Sequence, residues 1–323
     1  MKAIRFHRYG GPDVLQYEDV ETRNPGPGEI RIRNHAIGVN FIDIYMRTGA
    51  YPVPQFPFSP GKEGAGEVIA VGDGVSEFAI GDRVAYVEAP GAYSEEHNVP
   101  ASVAVHLPIT ISYETAASMM LKGLTAQYLL RRTYMVTSDD VVLIHAAAGG
   151  VGQIATQWAK YLGATVIGTV GSRQKAELAR LNGCDYVIDY SQEDLVARVR
   201  DITGNKGCDV VYDGIGKATF PASLDCLRPF GYFVSFGTAS GPIPPFDIMM
   251  LAAKGSLFTT WPLLPTHIAK RENLIAMSND LFDVVAKGAV KIPTPNRVEL
   301  ADAALAHHRL ETRQTTGATI LLP

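Results

Sequence analysis

Val141-Val142-Leu143-Ile144-His145 runs directly into Ala146-Ala147-Ala148-Gly149-Gly150-Val151-Gly152, and the reading of this stretch decides the fold. Four apolar residues in a row read as a buried strand, and the glycines that follow let the backbone turn tightly. Beyond the turn, Val151, Ile154, Ala155, Trp158, Ala159 and Leu162 recur at helical spacing and make one apolar stripe, with Gly163 as a C-terminal stop. A strand, a glycine turn and an amphipathic helix open a βαβ unit. The same alternation continues to Trp261, with strands expected at Val141–His145, Thr165–Val170, Tyr186–Asp189, Asp209–Asp213, Tyr232–Phe236 and Ser256–Thr260. Six strands separated by helical periods predict a doubly wound parallel sheet.

On either side the pattern differs. Up to about residue 110 the chain consists of short alternating runs broken by Gly and Pro, such as Glu29-Ile30-Arg31-Ile32-Arg33 after Asn24-Pro25-Gly26-Pro27-Gly28, which reads as an irregular, mostly antiparallel β-domain. After Pro262 come an amphipathic helix around Glu272–Lys287 and a strand at Thr319–Leu322. These have no core of their own and are assigned back to the first domain. The expected organisation is residues 1–125 as a β-rich domain, 126–261 as the parallel-sheet domain and 262–323 as a return segment completing the first.

With 29 basic and 33 acidic residues spread along 323 positions, no basic stripe marks a nucleic-acid surface, and none is expected to bind there. No apolar run approaches the ~20 residues of a membrane span, so a soluble, cytoplasmic protein without membrane contact is expected. Three scattered cysteines, Cys184, Cys208 and Cys226, are read as reduced thiols.

The glycine turn opens a helix whose free amides and dipole suit a pyrophosphate, which makes Ala148, Gly149, Gly150, Val151 and Gly152 candidate cofactor contacts. Against GxGxxG, Ala147 takes the first glycine's place and Gly149 and Gly152 the others. A carboxylate at the end of the second strand would bind a ribose 2′-hydroxyl, but that place reads Gly171-Ser172-Arg173-Gln174-Lys175, with none until Glu177. A hydroxyl followed by two cations, Ser172, Arg173 and Lys175, suits a 2′-phosphate, so NADPH is the expected cofactor. The competing reading makes Ser172 an N-cap and the cations a solvated first turn, but cations there oppose the helix dipole.

Asp140, Leu143, Ala147-Ala148-Gly149-Gly150, Gly152, Gln157 and Lys160 stand at the spacing of the quinone oxidoreductase/zeta-crystallin signature. The chain therefore resembles that branch of the medium-chain dehydrogenase/reductase superfamily. Asn40-Phe41-Ile42-Asp43, Gly61 to Gly66, Gly81-Asp82-Arg83-Val84, Leu121 to Ala126 and Val234 to Gly237 are similar to the bacterial NADPH:quinone oxidoreductases, over essentially the whole length. The resemblance implies a GroES-like catalytic domain, a Rossmann cofactor domain, a quinone substrate and a homodimer. By position, it puts Asn40 and Asp43 near the nicotinamide or substrate, Tyr45 and Tyr51 along the quinone pocket, and Thr125 beside the nicotinamide. Tyr190 and Arg313 would touch cofactor phosphates, and Gly214, Phe236 and Gly237 would lie along the cofactor. Asn40 with Asp43 also reads as a helix cap and acidic first turn, Tyr51 as a packing residue, and Thr125 as bonding its own backbone.

No metal is expected. Zinc alcohol dehydrogenases carry a His in a Gly-His-Glu motif and an upstream Cys, whereas this chain has Lys62 in the His place and no Cys before Cys184. Three other readings stay open: a 2-alkenal or enone reductase on the same fold, a non-enzymatic crystallin-like or RNA-binding NADPH-binding protein, and a zinc alcohol dehydrogenase. The last strand, 256–261, lacks Lys, Glu or Pro and carries Leu257, Phe258 and Trp261, so it is expected to pair with its copy in a homodimer unless the chain's own segments cover it.

Overall fold

The computed structural model describes residues 1–323. The chain divides into two compact units, Met1–Lys122 with Ile268–Phe282 and Ile292–Pro323, and Gly123–His267 with Asp283–Lys291.

The first unit is built from β1 (Lys2–Arg5), β2 (Gln16–Asp19), β3 (Glu29–Val39), α1 (Phe41–Thr48), β4 (Glu63–Val71), β5 (Arg83–Val87), β6 (Glu96–Pro100), β7 (Ala104–His106) and the start of α2 (Tyr113–Tyr128). Along β3, Ile30 and Ile32 are fully buried while Arg31 and Arg33 are not, the alternation that a half-solvated antiparallel strand requires. Val68, Val84, Tyr86 and Val99 pack with them into one core.

The second unit continues with β8 (Val141–Ile144), α3 (Gly150–Tyr161), β9 (Thr165–Val170), α4 (Arg173–Leu181), β10 (Tyr186–Asp189), α5 (Leu195–Ile202), β11 (Cys208–Asp213), α6 (Phe220–Asp225), β12 (Leu227–Ser235), α7 (Met249–Ala253), β13 (Phe258–Thr260) and α8 (Leu264–His267). Its six strands lie in the order β10-β9-β8-β11-β12-β13, all parallel. The order reverses between β8 and β11, which is where doubly wound sheets open a crevice at their carboxyl ends. Leu143, Ile167, Val211 and Phe233 fill the core beneath.

In this sheet the strands differ from the sequence reading by at most one residue at each end, apart from two starts that differ for backbone reasons. β12 starts at Leu227 rather than Tyr232, running through Pro229 and a left-handed Phe230 (φ 61°), features that break the apolar pattern without ending the strand. β13 starts at Phe258 because Ser256 is left-handed (φ 57°) and Leu257 turns into the core at 6% exposure. Leu257 therefore does not belong to the exposed edge, as expected of it, whereas Phe258 and Trp261 are open to solvent.

The chain ends with α9 (Arg271–Ala286), β14 (Asn296–Glu299), α10 (Ala303–Glu311) and β15 (Thr319–Leu322). β15 pairs antiparallel with β3 and completes the sheet of the first unit, in the order β14-β15-β3-β4-β5-β7 with β6 also on β3. No helix is long and apolar enough to cross a membrane.

Candidate active site

In the second unit, the loops after β8, β9, β10, β11 and β12 share one end of the sheet because the strands are parallel. α3 begins after Gly149 with no side-chain cap, which leaves its first amides for another acceptor. Ala148 is buried, and Gly152 has to be glycine because a Cβ there would collide with the Ala146 carbonyl. The Ala147 amide donates to Thr169 O (3.1 Å), tying this turn to β9.

Ser172 caps α4, its Oγ accepting from the Lys175 amide at 3.4 Å. The capping reading is thus realised, and it leaves the hydroxyl proton available to a ligand. Arg173 is exposed and pairs with Glu177 at 3.7 Å, an i,i+4 contact worth only about 0.3–0.5 kcal/mol that does not fix the guanidinium. Lys175 is half-buried. The Tyr190 hydroxyl lies against Gly171, where any side chain would collide with it.

A buried network, unread in the sequence, shapes the remaining turn. Asp213 Oδ1 accepts from the amides of Ile215 (2.8 Å) and Gly216 (3.0 Å), and its Oδ2 accepts from Ser223 Oγ (2.9 Å). His145 lies between Ser223 Oγ (3.0 Å) and Thr169 Oγ1 (2.9 Å), a satisfied core histidine whose burial lowers its pKa. The ends of β11 and β12 close on each other, so that a Cβ on Gly237 would stand 2.7 Å from Gly214 O and one on Gly214 would stand 3.0 Å from the Phe236 ring.

The first unit holds a second buried network around α1. Asp43 Oδ2 accepts from the Asn40 amide (2.8 Å) and from the Tyr93 hydroxyl (3.1 Å). Tyr93 meets His307 Nε2 at 3.0 Å, His307 Nδ1 meets Arg47 Nη1 at 3.3 Å, and Arg47 pairs with Glu311. An arginine only donates, so Nδ1 accepts, Nε2–H donates to Tyr93, and Tyr93 donates to Asp43. Burial pushes the Asp43 carboxyl up to about 7, against the opposing pull of the Asn40 amide. Burial first and Arg47 second push His307 down to about 3.

Asn40 has a second partner. Its Nδ2 donates to Glu63 Oε1 (2.7 Å), Lys122 Nζ donates to the same oxygen (3.0 Å), and the Leu121 amide donates to Oε2 (2.7 Å). The rings of Tyr45 and Tyr51 lie 5.2 Å apart, and Tyr51 is exposed. Thus Asn40, Asp43, Tyr45 and Tyr51 gather around α1. Thr125 is buried in the part of α2 that belongs to the second unit, and Arg313 is exposed in the first unit with φ 59°.

The profile of the alcohol dehydrogenase GroES-like domain matches residues 26–137, and that of the zinc-binding dehydrogenase matches residues 150–262. Over 323 residues the chain is 52% identical to a quinone oxidoreductase of Pseudomonas aeruginosa, covering 100% of this chain and 99% of that one. The chain belongs to the quinone oxidoreductase branch of the medium-chain dehydrogenase/reductase superfamily. Within that branch, its structure superposes on Escherichia coli quinone oxidoreductase complexed with NADPH at a TM-score of 0.98, with 48% identity and full coverage of both chains. A 2-haloacrylate reductase of a Burkholderia species is 47% identical over 328 residues, covering 99% of this chain and 98% of its own.

The superfamily's cofactor fits the residues present, since α3 opens uncapped behind a glycine whose Cβ would block the turn, and the β9 turn offers a hydroxyl and two cations without a carboxylate. A catalytic zinc does not fit. No three His, Cys, Asp or Glu side chains are grouped to hold a metal, and the Lys62 ammonium is paired with Glu88. Glu63 and Lys122 escaped the sequence reading as site residues although both lie in quoted stretches, because only the folded chain brings them onto Asn40.

Proposed function

We infer that this quinone oxidoreductase family member reduces quinones with NADPH and without zinc. The observation that carries the reading is the likeness to an NADPH-bound quinone oxidoreductase over the full length of both chains. The Gly149–Gly152 turn would hold the pyrophosphate, with Ala148 and Val151 flanking it. Ser172, Arg173 and Lys175 would hold the 2′-phosphate, with Tyr190 and Arg313 as further phosphate contacts. Gly214, Phe236 and Gly237 would border the cofactor, and Thr125 the nicotinamide.

When bound, the reduced nicotinamide supplies the hydride, so the chain's task is orientation and electrostatics. Tyr45 and Tyr51 offer ring faces and hydroxyls to a flat dicarbonyl ring. Asp43, buried and bonded to the Asn40 amide, positions Asn40 rather than touching substrate. The 47% identity to a 2-haloacrylate reductase supports a second reading, reduction of a conjugated alkene on the same site.

A homodimer through the exposed edge of β13, in the cytoplasm, completes the proposal. NADPH oxidation assayed against a panel of quinones, enones and 2-haloacrylates is expected to give the highest kcat/KM with a quinone. Turnover confined to the alkenes would replace quinone reduction by the second reading.

A further inference from the structure

The geometry points to Lys122 as a catalytic residue, the hydrogen-bond donor that receives the substrate oxygen on which negative charge develops. This rests on the reductase reading above. Both oxygens of Glu63 are occupied, Oε1 by Asn40 Nδ2 and Lys122 Nζ and Oε2 by the Leu121 amide, and Glu63 is fully buried. Glu63 thus accepts three hydrogen bonds and serves as an anchor. Lys122 is different. Its ammonium has three N–H donors, and its one hydrogen bond goes to Glu63.

Burying a cation with idle donors is costly unless something else takes them. The side chain as a whole keeps 8% exposure, whereas its partner Glu63 keeps none, so the Lys122 side is the one open towards a ligand. It also shares an oxygen with the side chain of Asn40, the residue proposed for the substrate side. Because a carboxylate cannot donate, Asn40 must turn its amino group towards Glu63. That commits one of its donors inward and leaves the ammonium as the stronger donor at this point. A charged donor held in place by a buried carboxylate needs no reorganisation as an oxyanion forms, which is how such groups lower a barrier. Glu63 thus acts as a positioning residue, holding both the ammonium and the carboxamide.

The test uses Lys122→Met and the double variant Lys122→Met with Glu63→Gln, which removes both charges together so that no lone buried carboxylate remains. Circular dichroism and NADPH binding, read from nicotinamide fluorescence, establish whether each variant is folded and holds cofactor. The expected result for the double variant is a folded protein that melts below wild type, since the amino group of the introduced carboxamide leaves it unable to accept from both former donors. NADPH affinity is expected within about twofold of wild type, and kcat for p-benzoquinone down roughly a hundredfold. A second readout needs no turnover. 4-Nitrophenol bound to the protein is titrated by its absorbance, and its ionisation midpoint is expected to lie lower on the wild type than on the double variant. Equal midpoints, no 4-nitrophenol binding by the wild type, or a folded double variant with unchanged kcat would each overturn the role of Lys122. A wild type that shifts the phenol midpoint but reduces no quinone would instead overturn the quinone-reductase reading.

Discussion

Asp43 is a carboxyl placed where water cannot reach it, and its titration follows from that. Burial raises its pKa from the ordinary 3.8 to about 7. Between those values the folded chain keeps the proton while the unfolded chain loses it, so Asp43's contribution to stability is present below about pH 4 and is lost as pH rises to about 7. Its ceiling is roughly 4 kcal/mol, from ~1.4 kcal/mol per pH unit. Two histidines, the half-buried His97 and the buried His307, have the opposite slope. His97, pushed down to about 4 mainly by burial, and His307, at about 3, contribute stability that is complete above 6.5 and is lost as pH falls through their folded values. We predict that Asp43→Asn, which keeps an acceptor for the Asn40 amide, raises stability relative to wild type at pH 7 more than at pH 4. Urea midpoints measured across this range check it, and a constant difference between the two proteins would contradict the assigned titration.

At the scale of elements, β13 is an edge strand with all three residues exposed, stacked through Phe258 on Tyr232 (4.6 Å between rings) and followed by the exposed Trp261. Its open ladder and apolar side chains are the features that pair edges across a two-fold axis. Phe258→Lys with Thr260→Lys, which places charge on the edge without breaking the strand's own ladder, is expected to convert a dimer into a monomer in light scattering. A monomeric wild type at micromolar concentration, or a dimer that tolerates both lysines, would reject this interface. Elements were legible in the sequence where periodicity is local. Thr165–Val170, Tyr186–Asp189 and Thr319–Leu322 are continuous apolar or alternating runs, and they form strands over those residues. The ends of β12 and β13 were not legible, because left-handed Phe230 and Ser256 are set by tertiary packing rather than by residue type. The site divides in the same way. The glycine turn and Ser172 to Lys175 are contiguous, so the sequence could propose them as a cofactor site. Glu63 lies 23 positions from Asn40 and 59 from Lys122, and His307 lies 214 from Tyr93, distances over which no sequence period carries information.

For the molecule as a whole, fold and chemistry meet in the choice of cofactor, because the parallel sheet fixes the turn after β9, which on the proposed function would bind the 2′-phosphate. Ser172 already caps α4, Arg173 is held only by an exposed pair and Lys175 is half-buried, and on the proposed function Lys175 would be the cation that discriminates. A charge-assisted bond to a phosphate is worth ~1.5–3 kcal/mol, at least about tenfold in affinity. The most direct test is kcat/KM for NADPH and for NADH, measured with one quinone on the wild type and on Lys175→Ala. The account predicts that the wild type favours NADPH and that the variant loses about tenfold or more with NADPH while NADH is nearly unchanged. Equal losses with both cofactors, or a wild type that prefers NADH, would contradict it.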